Sequence, residues 1–348
     1  MPCVTNAARG ARWTMAGAAL ALALALPVAQ PATEQLPDAE TFLRDLGFSA
    51  DQIAQVKSGS FVEGTIQASN ERELVAALAF LVQTSPTELV NRMRQDVLDR
   101  LDPHTIAFGM IEGTPSLASF AKLTLQPDAE KRTKAYADSG PDGDLNLSAE
   151  EIAAFDALGS APAPAAVEAA VKSALMARLQ AYQAQGLAGV APYARSGGKT
   201  RSPADDLRSA TTATKKLEAL VPNAFQALLA YPSSKPSGFE EVFDWSHYQA
   251  HGVPTIALTH TLFIPEGPAW VVVQRQFYVS GGYNCEQSIS AFLPMQHGTL
   301  VVYTNRTSTD QVTGFGGSAK RAIGSKLLAS ELEKLYGMLQ AMEKPGGS

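Results

Sequence analysis

The chain has 348 residues, of which 45% are hydrophobic and 18% are charged. This composition is that of an ordinary globular protein and excludes a low-complexity chain. The 28 Lys and Arg residues against 34 Asp and Glu residues give a net charge of −6. An acidic chain of this kind disfavours nucleic acid and other polyanions as partners.

Residues 1–32 have the order of a secretory signal peptide. Arg9 and Arg12 precede an uncharged Ala/Leu run at 16–26, which Pro27 and small residues follow. The run is shorter than the roughly 20 residues of a spanning helix. We therefore expect export to the periplasm or the medium, with no integral membrane segment after processing.

Cleavage after Ala29 or Ala32 removes two arginines and no acidic residue, so the net charge of the mature chain becomes −8. It also removes Cys3 and leaves Cys285 as the only thiol, which excludes an intramolecular disulfide. A hydrophobic core alone must then stabilise the fold.

Four segments follow from the order of the predicted elements. They are the signal peptide at 1–32, an N-terminal α+β segment at 33–125 that contributes to the sheet, a helical insertion at 126–235, and an antiparallel sheet with a long terminal helix at 236–348. The first α+β segment has helices at 41–47 and 49–58, strands at 61–67 and 73–83, a helix at 86–100 that Ser85 caps, and a strand-like stretch at 106–125.

The last segment begins with a predicted helix at 239–251, with Ser237 and Glu240 as its cap. Strands are predicted at 255–263, 269–279, 287–293 and 299–306, and the short connections between them favour antiparallel hairpins. An apolar stripe predicts one long helix at 318–342.

The strand-to-helix passage 74–90 and the block 270–342 together resemble the helix-grip fold of START-like lipid and small-molecule binding proteins. The resemblance implies an α+β fold in which an antiparallel sheet packs on the long C-terminal helix. It also implies a cavity between sheet and helix, without naming a ligand.

Strand alternation places three polar side chains on the apolar face of the predicted sheet. His260 is in phase with Leu258 and Leu262, Arg275 is in phase with Val273 and Phe277, and Arg306 follows the phase of Val302. A buried guanidinium needs compensation. Arg275 therefore pairs with a carboxylate such as Glu286 or Asp310, binds an anionic group of a ligand, or faces solvent through a shift in register.

The loop at 281–286 supplies further candidate ligand-binding residues, Tyr283 and Asn284, or is only a glycine-rich turn. Cys285 has no neighbouring His, and the chain has no Gly-x-Ser-x-Gly elbow. We assign no catalytic residue.

Residues 140–151 resemble a calcium-binding EF-hand loop, with Gly140 and Leu145 departing from the pattern. Its candidate calcium ligands are Asp142, Asp144, Asn146, Ser148 and Glu151. Ser148 and Glu151 also form a capping-box pattern, so a helix start is the alternative interpretation.

A second metal pattern, Asp244, His247 and His251, would present three zinc ligands on one face of the predicted helix. Three functions therefore stay open. The first is a secreted or periplasmic binding protein for an amphipathic, lipid-like small molecule, held by His260, Arg275 and Arg306. The alternatives are a metal-dependent enzyme and a calcium-stabilised interaction protein.

Overall fold

An eight-stranded antiparallel sheet forms the centre of an α+β fold in the computed structural model. The structure describes residues 38–95, 105–141, 143–214, 216–250, 253–313, 320–322, 324–326, 330 and 333. The predicted signal peptide, Asp142, His251 and most of the predicted C-terminal helix lie outside these residues. Contacts group the described residues into one unit.

The strands occupy most of the last part of the chain. Their bounds are β1 Val62–Gly64, β2 Glu73–Val82, β3 Thr105–Ile111, β4 Tyr193–Arg195, β5 Lys199–Arg201, β6 Glu240–Ala250, β7 Val253–Glu266, β8 Ala269–Val279, β9 Cys285–Met295 and β10 Gly298–Ser308. The large sheet has the order β1-β2-β10-β9-β8-β7-β6-β3, and β4 and β5 form a separate hairpin. The predicted antiparallel hairpins from β7 to β10 are confirmed.

The helices lie mainly in the first two thirds of the chain. Their bounds are α1 Ala39–Asp45, α2 Ala50–Lys57, α3 Pro86–Arg94, α4 Ala129–Ala137, α5 Ala149–Asp156, α6 Pro164–Gln185, α7 Pro203–Thr212, α8 Leu217–Leu220 and α9 Pro222–Ala230. Ser49 and Gln52 form the predicted capping box of α2, and Ser85 caps α3 ahead of Pro86. The strand-like stretch at 106–125 is wrong beyond Ile111, because residues 117–120 form a 3-10 turn.

The predicted helix at 239–251 is also wrong, since residues 240–250 form strand β6. Phe243, Trp245 and His247 are at most 6% exposed, and Asp244 and Ser246 between them are 7% and 8% exposed. A strand buried on both faces has no polar, solvent-facing phase, so its sequence does not show the period of two. The Ser237 and Glu240 pattern does not start a helix here.

The two faces of the large sheet differ in what covers them. The helical face carries Phe243, Leu258 and Ile289 and packs against α1, α2 and the inserted helices. The opposite face carries Val272 and Phe292 and packs against α3 at one end. Both faces therefore contribute to the core.

The described residues of the predicted C-terminal helix are helical, and three of them contact β2 or the residues just before it. The Val75 amide donates to Ser325 Oγ over 3.0 Å, and Arg321 donates to the Glu71 carbonyl over 2.8 Å. Gly324 packs against Leu74, where a Cβ would meet that side chain at 2.8 Å. Among the described helices, none has the length and hydropathy needed to cross a bilayer.

Candidate ligand-binding face

His260 and Arg275 lie directly opposite each other on β7 and β8, and both are fully buried on the helical face. This confirms the strand phase that the sequence predicts for them. Arg275 donates to Gln287 Oε1 from Nε over 3.0 Å and from Nη2 over 2.8 Å. Nη2 also donates to the Leu228 carbonyl over 2.9 Å, and Nη1 lies 3.5 Å from the Tyr182 hydroxyl.

The predicted carboxylate partners of Arg275 are wrong. Glu286 is the neighbour of Gln287 on β9 and therefore projects from the opposite face. Asp310 pairs with other arginines instead. Uncharged acceptors therefore compensate Arg275, and its Nε and Nη2 donors are already bonded within the chain.

His260 connects this arginine to a carboxylate. Its Nδ1 lies 3.0 Å from the Tyr182 hydroxyl and its Nε2 lies 3.1 Å from Glu241 Oε2. Burial lowers the pKa of His260 to about 4. Burial would raise the pKa of Glu241, but hydrogen bonds from His260 and Lys235 lower it to about 2.

At neutral pH, Glu241 is therefore ionised and His260 is neutral. We assign the proton to Nε2, which donates to Glu241, so that Nδ1 accepts from Tyr182. Phe243 stacks on the imidazole at 4.3 Å and closes the site from one side. The result is a closed polar network in which both ring nitrogens of His260 have a partner from the same chain.

Arg306 is likewise paired within the chain. Its Nη1 donates to Glu73 Oε2 over 2.7 Å and to the Gln67 carbonyl over 3.2 Å, while its Nε is buried without a partner. Both residues of the ion pair are at most 5% exposed. Arg306 and Arg275 thus lie on one face but in separate networks.

Tyr283 and Asn284 point in different directions. The Tyr283 hydroxyl contacts Gln276 and Tyr248 on the opposite face. Asn284 is 3% exposed and accepts from Arg195 over 3.4 Å. The predicted ligand-binding residues therefore do not converge on one pocket.

The EF-hand-like loop is held by protein contacts. Ser148 and Glu151 form the capping box of α5. Arg178 donates one hydrogen bond to each carboxylate oxygen of Glu151, both over 2.6 Å. Asn146 Oδ1 accepts from Arg195 over 2.7 Å, and the Asp144 carbonyl lies against Gly281. These contacts favour the capping-box interpretation over calcium ligation. No cluster of three metal-ligating side chains occurs among the described residues.

The zinc pattern is wrong because its helix does not exist. Asp244 and His247 are three positions apart on a strand, so they project from opposite faces. His247 Nε2 lies 2.5 Å from Arg132 Nη1, while Nδ1 is buried without a partner. Burial and Arg132 lower the pKa of His247 to about 4.

The opposite face carries an arrangement that the sequence prediction missed. Two adjacent cross-strand rows across its centre consist only of polar side chains. The first polar row is Asp244, Thr259, Gln276, Glu286 and Thr307 on β6 to β10. The second polar row is Thr261, Gln274, Ser288 and Asn305 on β7 to β10.

Most of these side chains are buried, and several have few protein partners. Thr259, Thr261, Ser288, Asn305 and Thr307 are 2–7% exposed. Within the part of the chain that the structure describes, the side chains of Gln274 and Thr261 make no hydrogen bond. Neither residue has a side-chain N or O atom that is both hidden from solvent and without a partner. Their polar atoms therefore remain accessible and can hydrogen-bond to an occupant of this face, water or ligand.

Glu286 supplies a carboxylate to this face. Its Oε2 accepts from the Thr307 hydroxyl over 2.8 Å. Burial raises the pKa of Glu286, while hydrogen bonds from Thr307 and Asn305 oppose that rise. Glu286 has no ion pair with any described cation.

Apolar side chains flank the polar rows on both sides. Phe108 and Met110 on β3 pair with Ser246 and Asp244 and keep part of their surface exposed. Ile106 on the same strand is 38% exposed. At the other end lie Phe80, Phe263, Val272, Phe292, Val301 and α3. The face is therefore amphipathic, with a polar middle between apolar borders.

Comparisons with family models, curated proteins and solved structures find no match to this chain. The polar rows and their apolar borders therefore carry the functional argument by their own geometry.

Proposed function

We propose that the protein is a binding protein that holds one amphipathic small molecule against the opposite face of its sheet. The polar part of the ligand lies over the two polar rows, and its apolar part lies against one of the apolar borders. The main support for this proposal is the pair of wholly polar cross-strand rows at the centre of a largely buried face. Small-molecule sites commonly combine an apolar lining with a few convergent polar groups.

The ligand chemistry differs from the anionic head group that Arg275 first suggested. Arg275, Arg306 and His260 are engaged on the helical face, whereas the polar rows present Glu286 and amide and hydroxyl groups. A carboxylate and carbonyl-type oxygens accept hydrogen bonds. The proposed ligand therefore carries hydroxyl or amine donors on an otherwise apolar skeleton.

A helix-grip arrangement is part of the same proposal. The sheet order brings β2 beside β10, and the helical residues that follow β10 in sequence lie against Leu74. Leu74 is the register partner of Thr307, at the end of the first polar row. A terminal helix that starts there and crosses this face would close the site, as in START-like proteins.

Export completes the proposal, with the leader at residues 1–32 removed and the mature chain in the periplasm or medium. Native mass spectrometry of the protein purified from its own compartment tests the binding function. We expect the mature chain with one small-molecule adduct, which organic extraction releases. A chain that carries no adduct, and binds none from an extract of its cells, would contradict the function.

A further inference from the structure

Three arginines from different parts of the chain converge on the carboxylate of Asp310. Arg201 on β5 places Nε 3.1 Å and Nη2 3.0 Å from Oδ1. Arg195 at the end of β4 places Nε 3.6 Å from Oδ2. Arg72, just before β2, places Nε 3.2 Å from Oδ1, but without the angle of a hydrogen bond. One carboxylate thus faces three permanent positive charges.

Two other carboxylates face the same cluster. Asp206 accepts from Ser308 over 2.6 Å, and burial raises its pKa against the opposing effects of Ser308, Arg201 and Arg72. Glu71 Oε1 lies 3.7 Å from Arg72 Nη2, and the Glu71 side chain is 61% exposed. This ion pair therefore contributes little to stability.

Further cations adjoin the cluster. Lys199 lies across the β4–β5 hairpin from Arg195, and Arg321 donates to the Glu71 carbonyl. Together with the three arginines they outnumber the described carboxylates Asp310, Asp206 and Glu71. A chain of net charge −6 thus has a local excess of positive charge here.

The cluster retains donors and is held in place. Nη1 of Arg72 and Nη1 of Arg201 bond to no described residue. Arg195 is fixed by bonds from Nη1 to the Ala194 carbonyl and from Nη2 to Asn146. The side chains of the three arginines are 21–32% exposed, so they are oriented but reachable.

The hairpin that carries Arg195 and Arg201 has an open tip. The hairpin tip between β4 and β5 turns through Gly197 and Gly198, with φ of +67° and +70°. A Cβ at either glycine would meet nothing within 4 Å. No described residue therefore covers the tip at these two glycines.

We propose that Arg72 and Arg201 bind a phosphate-type oxyanion, with Arg195 and Asp310 fixing their positions. Planar guanidinium groups match the oxygen geometry of phosphate and form paired hydrogen bonds with it. The ligand is either free phosphate or the phosphomonoester head of a larger molecule. This site is separate from the amphipathic face and does not depend on it.

Calorimetric titration of the full chain with inorganic phosphate, at constant ionic strength and near-neutral pH, tests the site. The double variant Arg72→Gln/Arg201→Gln should weaken binding by roughly tenfold or more. Arg208→Gln is the matched control, because Arg208 pairs with the single carboxylate of Asp205 on α7. Its phosphate affinity should equal that of the wild type.

Asp310→Asn distinguishes a ligand site from a structural ion-pair cluster. If the site binds phosphate, removal of the competing negative charge should tighten binding by roughly tenfold. Phosphate that fails to bind both the wild type and Asp310→Asn would overturn the proposal. So would a double variant that binds as tightly as Arg208→Gln.

Vesicles of phosphatidylcholine, with and without phosphatidic acid, identify the source of the phosphate. Cosedimentation that requires phosphatidic acid and is lost in the double variant supports a lipid head group. Binding of inorganic phosphate without cosedimentation supports a free ligand. Absence of both would contradict the site.

Discussion

His260 on β7 and Arg275 on β8 are direct cross-strand neighbours, and neither side chain is exposed. Arg275 reaches the nearest carboxylate of its network, Glu241, only through Tyr182 and His260. The helical face is thus a closed polar network rather than a ligand pocket. The proposed binding function accordingly depends on the opposite face of the sheet.

Replacement of Arg275 by Met should destabilise the fold moderately. The variant leaves Gln287 Oε1 and the Leu228 carbonyl without their donor, but it leaves no directly contacting carboxylate unpaired. We therefore expect the free energy of unfolding to fall by about 2–3 kcal/mol. Gln287→Leu should then cost less than about 1 kcal/mol in the Met background, because its main partner is gone. Urea unfolding of the single and double variants measures both, and strictly additive losses would contradict the network.

Acid should destabilise the protein as pH falls from about 6.5 to about 4. The folded-state pKa values of His247 and His260, about 4, lie below the ordinary value of 6.5, so their contribution is full above 6.5 and lost toward 4. Each contributes up to about 3 kcal/mol by that shift. Urea unfolding of the wild type, His247→Gln and the exposed control His297→Gln over this range checks it. A curve for His247→Gln as steep as that of His297→Gln would refute the assignment.

Glu266 should act in the opposite direction. Its carboxylate is 3% exposed and accepts from the Ala224 amide over 2.7 Å at the start of α9. Burial raises its pKa to about 7, against the opposing backbone hydrogen bonds, so its contribution is full below 4.5 and lost as pH rises through 7.

Glu266→Gln keeps an oxygen acceptor for the Ala224 amide and removes this pH dependence. At pH above 7 the variant should be more stable than the wild type by as much as about 3 kcal/mol. Thermal unfolding on both sides of pH 7 measures the difference. Equal stability of the two proteins on the alkaline side would show that the carboxylate is not destabilised by burial.

Export can be tested independently of any ligand. The order of Arg9, Arg12 and the Ala/Leu run predicts cleavage between Ala29 and Thr33. N-terminal sequencing of the protein from the periplasm or medium should find a terminus in this range. An intact Met1 on protein from the cytoplasm would contradict export.

The sequence predicted much of the sheet because β7 to β10 are rich in apolar and β-branched residues and are bounded by turn residues. It failed at 239–251, where a cap-like Ser and Glu and spaced acidic and His residues imitated a helix. It also treated only the apolar phase of each strand as buried. The polar phase, as in Thr259, Thr261, Gln274 and Gln276, is read as solvent-facing unless tertiary packing covers it, and packing is not visible in local periodicity.

The partners of Arg275 were unpredictable for a related reason. Leu228 and Tyr182 come from the inserted helices, whose position over the sheet depends on long-range contacts. Strand phase indicated that Arg275 is buried, but not which groups meet it. The polar rows could have been found by aligning predicted strands in register, since their members recur at every second position.

Native mass spectrometry of the wild type and two variants tests the binding face most directly. Gln274 lies at the centre of the second polar row, and Gln274→Leu removes its amide. Thr304→Val is the control, because Thr304 lies on the helical face of β10 opposite Ile289. Both should match the wild type in stability within about 1 kcal/mol.

We predict that the wild type and Thr304→Val, purified from their own compartment, each carry one amphipathic small molecule. Gln274→Leu should lose it or hold it at least roughly tenfold more weakly, since one hydrogen-bonding group of the site is gone. A wild-type mass equal to that of the bare mature chain would contradict the account. So would Gln274→Leu carrying the same molecule at the same occupancy as Thr304→Val.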